Sequence, residues 1–468
     1  MNKQDIVIFG GGLTGLTCGW KLAQQGYRIT ILEKESSVGG ISATFKHKDY
    51  YLDYGPHKIY TQINGILDEI KSLLGKDLLE IEKRSSIRIF GRFLKYPVQI
   101  KDLVRCLPIQ TGIECVFSYL WSVVKNKILP RTDDSYESWV TNRFGRVIYS
   151  LVFETYAEKI WGDPSMLSCD LARARIILPN LKDVFLNTIF GKQKEGKELS
   201  AKKFYYPKYG IIQLSEKMTN AIKDNGSSVF LNSFPVKVLV RGLHDFEIVY
   251  RINNTEEIVH TSKIISTIPL NSLVDILMPQ VPLDIRLASD NLKYRGLILI
   301  YMVFDVPSII KDNWIFFPEE KYSFNRISEQ KSFSNTMIPS NKTVLTVEIT
   351  CNRNDENWLI PDEKLLEKVM VELKDIGITN TPSDYLVKRL AGIYPIYDLK
   401  YSENLNKILM YLDSINIYTI GRHGLFNYNN MDHCIDMGIR LASYMKSGED
   451  MNRWKDIRKG FSKYQIVD

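Results

Sequence analysis

The amino-terminal stretch constrains what this chain can fold into more than any other. Asp5 to Phe9 (DIVIF) is a short, nearly continuous apolar run, as a parallel strand buried on both faces should be. Gly10, Gly12 and Gly15 follow at once as G-x-G-x-x-G, and Leu16 to Gln24 reads as a helix. A second apolar run, Arg28 to Leu32, ends in Glu33. Each part has a physical task. Gly10 permits a tight turn, Gly12 lets backbone approach a pyrophosphate, and Gly15 allows close packing of the helix. The helix amino terminus offers N–H groups and a positive dipole end to phosphate. Glu33 can accept hydrogen bonds from ribose hydroxyls. The stretch predicts a dinucleotide-binding unit within an α/β fold.

The rest of the chain bounds the function. Its 468 residues exceed one typical domain, so two or three cores are expected. The net charge of +7 is dispersed, which suits an anionic substrate such as a nucleotide or diphosphate. No basic stripe interleaved with aromatics points to nucleic acid. The six cysteines are scattered without metal-ligand spacing, so neither a zinc site nor a disulfide framework is indicated. A strand that begins near the amino terminus leaves no room for a signal peptide, which places the protein in the cytoplasm as an expectation. No apolar run reaches the roughly 18 residues of a membrane span. The nearest, Thr111 to Val124, is interrupted by Glu114. A buried helix is its favoured reading, and weak contact with a membrane surface the alternative. Ile100 to Thr188 shows helical periodicity, for example at Val147, Leu151, Val152 and Tyr156. Strands are expected at Glu247 to Ile252, Leu297 to Phe304 and Val344 to Ile349, and a helix at Asp362 to Leu373.

Glu33-Lys34 leads into Gly39-Gly40, which resembles the second glycine pair of FAD enzymes of the amine oxidase and glutathione reductase type. Tyr206 to Met218, the run Ser228 to Val240, and Lys263 to Leu270 fit the same resemblance. Gly421-Arg422, followed by a helix from about Asp432, resembles the last flavin contact. The resemblance implies a discontinuous Rossmann-like FAD domain over 1–85, 203–275 and 390–468. A helical subdomain (86–202) and a sheet-containing subdomain (276–389) would then receive the substrate. Expected cofactor contacts are Gly10, Gly12, Leu13, Thr14, Gly15, Glu33, Lys34, Gly40, Val236, Gly421, Arg422 and Met431.

Further segments, in order along the chain, resemble UDP-galactopyranose mutases. They are Tyr54 to Thr61 (YGPHKIYT), Asn142 to Gly162 (with Tyr-x-x-Lys-x-Trp-Gly), Phe324 to Phe333, Tyr394-Pro395-Ile396, and Gly421 to Asp432. This resemblance implies a mutase, an intramolecular transferase that interconverts the pyranose and furanose forms of a nucleotide sugar for cell-surface polysaccharide. N5 of reduced FAD would attack the anomeric carbon, and NAD(P)H is a possible reductant. Arg326 and either Arg173 or Arg175, with Arg175 favoured, would hold the diphosphate by charge-assisted hydrogen bonds. Tyr394 and Tyr428 would donate to the same phosphates. Trp161 would pack on uracil or sugar, Asn430 would contact substrate, and His57 would lie beside the flavin. A homo-oligomer is possible.

Two departures mark the resemblance. Asn430 stands where matching mutases commonly carry aspartate, and Tyr60 where many bacterial members have a second histidine. Asn352 to Arg389 and the Tyr-Pro-Lys segment before Gly210 resemble protoporphyrinogen oxidase and amine oxidase relatives. An FAD-dependent oxidoreductase of that type is the alternative, and a protein with FAD as a purely structural element is a third reading.

Overall fold

Five strands drawn from three distant parts of the chain meet in one parallel sheet. The computed structural model describes residues 5–98, 102, 105–129, 132–176, 202–448 and 450–466. The sheet order is Ile417–Thr419, Lys263–Ser266, Asp5–Phe9, Arg28–Leu32, Ser228–Phe230, all parallel. Ile6, Val7, Ile8 and Phe9 are buried, as a central strand requires. Helices Leu13–Gln24 and Met431–Lys446 pack closely on each other. A Cβ on Gly438 would lie 2.9 Å from the Cys18 nitrogen. These elements belong to one compact unit (Met1–Glu80, Tyr205–Lys293, Tyr401–Tyr464), and the second comprises Ile81–Phe204, Tyr294–Lys400 and Gln465–Asp468.

The run Ser228 to Val240 is two strands rather than one. Ser228–Phe230 closes the parallel sheet, the chain turns at Asn232 (φ 49°), and Ser233–Gly242 enters a separate four-stranded sheet with Asp245–Ile252 and Thr255–Thr261. The asparagine is the local signal for this break, since asparagine tolerates the left-handed region.

The second unit is organised by a seven-stranded sheet, in the order Asp384–Pro395, Tyr294–Phe304, Thr343–Cys351, Arg326–Glu329, Trp314–Phe316, Ser85–Ile89, Arg92–Lys95. One face supplies Ile298, Ile300, Ile327, Val347 and Ile349 to a core closed by Leu365, Val369 and Leu373 of helix Asp362–Asp375. Side chains alternate across a strand, so Arg326 and Glu348 project from the other face.

The helical stretch departs from expectation in two ways. Arg146–Ile148 and Thr155–Trp161 are α-helical, but Tyr149–Glu154 between them is a π-turn, which shifts the periodicity. Thr111 to Val124 lies in helix Ile109–Ile128, yet it is not a buried helix, because its apolar residues face outward and Ser122 is its buried residue. Periodicity detects an apolar stripe but not what covers it. Among the described residues no helix is long and apolar enough to cross a membrane. Within Ile100 to Thr188, residues 100–101, 103–104, 130–131 and those beyond Ile176 lie outside the described residues.

Candidate functional site

The glycine turn closes as its spacing requires. Gly10 takes φ +97° and donates its N–H to Leu32 O at 2.9 Å, joining the ends of the first two strands. A Cβ on Gly15 would lie 2.1 Å from the Gly10 carbonyl, so only glycine lets the helix start this close. Gly12 is the N-cap of Leu13–Gln24 and contributes no side-chain cap, leaving the helix amino terminus open to an anion. Leu13 and Thr14 are buried in the first turn.

Glu33 is 6% exposed and accepts the N–H of Gly11 at 2.6 Å and of Glu35 at 2.8 Å, one on each oxygen. Burial pushes its pKa up, and these N–H bonds oppose the shift. Lys34 beside it is exposed. The second glycine pair folds back onto the first, with Gly39 N–H donating to Gly11 O at 2.9 Å. A Cβ on Gly40 would come within 3.4 Å of Gly12 Cα. Two bare backbones therefore face each other at a helix amino terminus, and the residues present fit a dinucleotide pyrophosphate. Gly39 belongs to the glycine pair that the resemblance marks, whereas Gly11, whose N–H and carbonyl join both partners, carries no such signal. Val236 lies at the irregularity between Pro235 and Lys237, where the strand register shifts.

The carboxyl-terminal part of the same unit returns to this helix. Gly421 takes φ +88°, and a Cβ there would sit 2.9 Å from Thr14 Oγ1. The Arg422 guanidinium lies 5.1 Å from the Tyr428 ring centroid and donates to Asn429 O at 3.0 Å. Tyr428 is buried. Asn430 N-caps helix Met431–Lys446 and donates its N–H to His433 Nδ1 at 3.1 Å. The His433 ring stacks on Tyr464, with centroids 4.4 Å apart.

His57 is half-buried, its Nδ1 3.1 Å from Gly55 O. The hairpin before it, Thr44–His47 with Tyr50–Asp53, holds a buried cluster that the sequence reading missed. Asp53 accepts from Thr44 Oγ1 and Tyr206 Oη, both at 2.6 Å, and burial pushes its pKa up to about 7. An acid within the apolar run YYLDYG was the available signal.

In the second unit, Arg326 donates from Nε and Nη2 to Glu348 at 2.6 and 2.8 Å. Two of its five N–H donors are thus aimed at a carboxylate. The Arg175 guanidinium lies 5.3 Å from the Trp161 ring centroid, and Trp161 is buried beside Tyr136 and Tyr156. Arg173 is exposed and pairs with Asp170 at 3.0 Å, a helical i,i+3 contact. The structure thus joins Arg175, and not Arg173, to Trp161. Tyr394 stands opposite Arg295 near the end of its strand, half-buried. Lys159 of the Tyr-x-x-Lys-x-Trp-Gly segment was not assigned a role. Its ammonium donates to the carbonyls of Phe317 (2.8 Å), Glu319 (2.6 Å) and Phe324 (3.2 Å), which ties the Trp161 helix to the loop before Arg326.

Similarity to known proteins adds to this geometry. A 201-residue stretch is 23% identical to a probable UDP-galactopyranose mutase of Klebsiella pneumoniae and covers 41% of this chain and 50% of that protein. A 271-residue stretch is 23% identical to a 4,4'-diapophytoene desaturase of Methylomonas sp, covering 50% and 48%. An L-amino-acid oxidase of Crotalus adamanteus is 36% identical over 70 residues, 15% of this chain and 14% of the oxidase. The chain thus spans at most half the length of these curated relatives. Among solved structures, a reduced UDP-galactopyranose mutase superposes with a TM-score of 0.81 at 19% identity, covering 96% of this chain and 94% of that one. A putative protoporphyrinogen oxidase from Exiguobacterium sp. 255-15 gives 0.73 at 19% identity, covering 96% and 100%. At such identities these likenesses show a shared fold. The family described as flavin containing amine oxidoreductase matches residues 13–397. The chain belongs to that family, and its cofactor is FAD.

Proposed function

We propose that this protein is a flavin-dependent nucleotide-sugar mutase that interconverts pyranose and furanose forms, acting in the cytoplasm in cell-surface polysaccharide synthesis. The observation that carries the reading is the placement of the Arg175 guanidinium over the Trp161 ring. A guanidinium held over a buried indole gives a planar cation beside an aromatic surface, which suits a diphosphate joined to a flat base. A simple amine or polyene substrate offers no anion for that cation to hold.

Residue roles follow from this reading. Arg175 and Arg326 hold the departing nucleoside diphosphate, Tyr394 and Tyr428 donate phenolic hydrogens to it, and Asn430 contacts the substrate. Gly12 and the helix amino terminus hold the cofactor pyrophosphate, Glu33 its ribose, and His57 lies along the ring. FAD, when bound and reduced, supplies the nucleophilic N5. The protein contributes placement and a charged environment for the leaving group.

One observation favours the second reading, an FAD-dependent oxidoreductase. Arg326 is charge-compensated by Glu348, which weakens its pull on a phosphate. The test is to incubate dithionite-reduced and oxidised protein with UDP-galactose or UDP-galactofuranose and separate the products. Interconversion only after reduction supports the mutase. No interconversion, together with a flavin spectrum that UDP leaves unchanged, overturns it, and oxygen consumption with amine, porphyrinogen or polyene substrates then tests the oxidoreductase.

A further inference from the structure

Helix Ile109–Ile128 is built inside out. Its inward face is small and polar. Ser118 Oγ accepts the Val147 N–H at 3.1 Å, the Asn126 side chain donates to Asn142 O, and Ser122 is buried. A Cβ on Gly145 would lie 2.7 Å from the Ser118 backbone, so the chain packs close on that side. The outward face carries the aliphatic residues Ile109, Ile113, Val116, Leu120, Val124 and Ile128. Between them stand Phe117, 67% exposed, and Trp121, 69% exposed. A helix that only had to pack on its own protein would show the reverse pattern.

We propose that this face docks in the plane of an anionic lipid bilayer surface. At 100° per residue the exposed apolar side chains cover an arc of roughly 140°, while one partner helix covers a narrower seam. A second copy packed helix to helix would leave the flanks of the arc in water, whereas an acyl layer wets all of it. Phe117 and Trp121 alone leave on the order of 300 Å² in water, and the aliphatic residues carry the patch beyond the few hundred Å² usual on a monomer. The helix charges fit the same partner. Lys125 and Lys127 are exposed near the carboxyl end and Glu114 is the one exposed acid of the helix, while Arg105, which precedes the amino end, is paired with Asp102 at 3.8 Å. An aromatic and aliphatic face with a cation on its flank and another at its carboxyl-terminal end is the composition of an interfacial helix, and the chain's net +7 adds attraction to anionic headgroups.

The experiment is co-sedimentation of the FAD-loaded protein with vesicles of phosphatidylcholine, pure or mixed with phosphatidylglycerol. Binding to the mixed vesicles, weakened by salt, is expected. The double variant Phe117→Glu/Trp121→Glu should retain its flavin yet partition at least about tenfold less, because each buried ring is replaced by a charge. Lys125→Glu/Lys127→Glu should lose the preference for phosphatidylglycerol. The proposal is overturned if wild-type protein binds neither vesicle, or if the ring variant binds as well as wild type. It is also overturned in favour of a second copy if wild-type protein is a dimer that ignores vesicles and the ring variant makes it monomeric.

Discussion

Arg326 and Glu348 stand directly opposite each other on neighbouring antiparallel strands, joined by two hydrogen bonds, with the carboxylate wholly buried and the guanidinium side chain 22% exposed. The pair is therefore asymmetric: the arginine reaches solvent and the glutamate does not. Arg326→Met strands a buried charge and is expected to cost about 3–5 kcal/mol, with Glu348→Gln costing less. Thermal unfolding of both variants checks the order. If Arg326 holds a diphosphate, the variants should move UDP affinity in opposite directions. Glu348→Gln, which leaves the cation uncompensated, should tighten binding severalfold in calorimetry, and Arg326→Met should weaken it.

Gly15 tests the cofactor cradle. A methyl there meets the Gly10 carbonyl at 2.1 Å, so the helix must move away from the strand. Gly15→Ala is expected to weaken FAD binding at least about tenfold, or about 1.4 kcal/mol. Flavin absorbance per chain after dialysis measures it.

Asp53 makes stability depend on pH. Its folded pKa, raised by burial to about 7, lies above the usual value for an exposed aspartate. The folded state therefore binds this proton more tightly. Its contribution is fully present below the unfolded value and is lost as pH rises through about 7. Over that window stability should fall by up to about 1.4 kcal/mol per pH unit from this group. Melting curves of wild type and Asp53→Asn from mildly acid to neutral pH should differ in slope, with the asparagine variant flatter. Equal slopes would remove Asp53 as the cause.

Lys159 should matter more for structure than its surface-like residue type suggests. Lys159→Met leaves three carbonyls without their shared donor and is expected to cost about 3 kcal/mol. Lys159→Arg should not restore it, because a planar guanidinium cannot stand at the meeting point of three carbonyls as an ammonium does. Chemical denaturation of the three proteins gives the comparison.

Much of the cofactor unit could be read from residue order, because its signals are local. Gly10 and Gly12 lie in the turn between the first strand and the helix, Gly15 in the helix and Glu33 just after the second strand, and their spacing alone implies the turn and the open helix amino terminus. The substrate residues were less legible. Arg173 and Arg175 lie in the same short helix, and which one reaches Trp161 depends on helix rotation against a distant segment. The roles of Asp53 and Lys159 are illegible for the same reason, since their partners Tyr206 and Phe317 are remote in the chain.

The sequence by itself determined the parallel strand, its glycine turn and the acid that follows, since backbone sterics and hydrogen bonding over a few residues permit little else. Tertiary structure alone decided which charges are neutralised and which apolar faces stay uncovered. Glu348 compensates Arg326 only because two strands pair in that register. Ile109–Ile128 turns its apolar side outward while its polar side packs on Gly145, Val147 and Asn142. Those outcomes depend on contacts between residues far apart in the chain, and no local spacing encodes them.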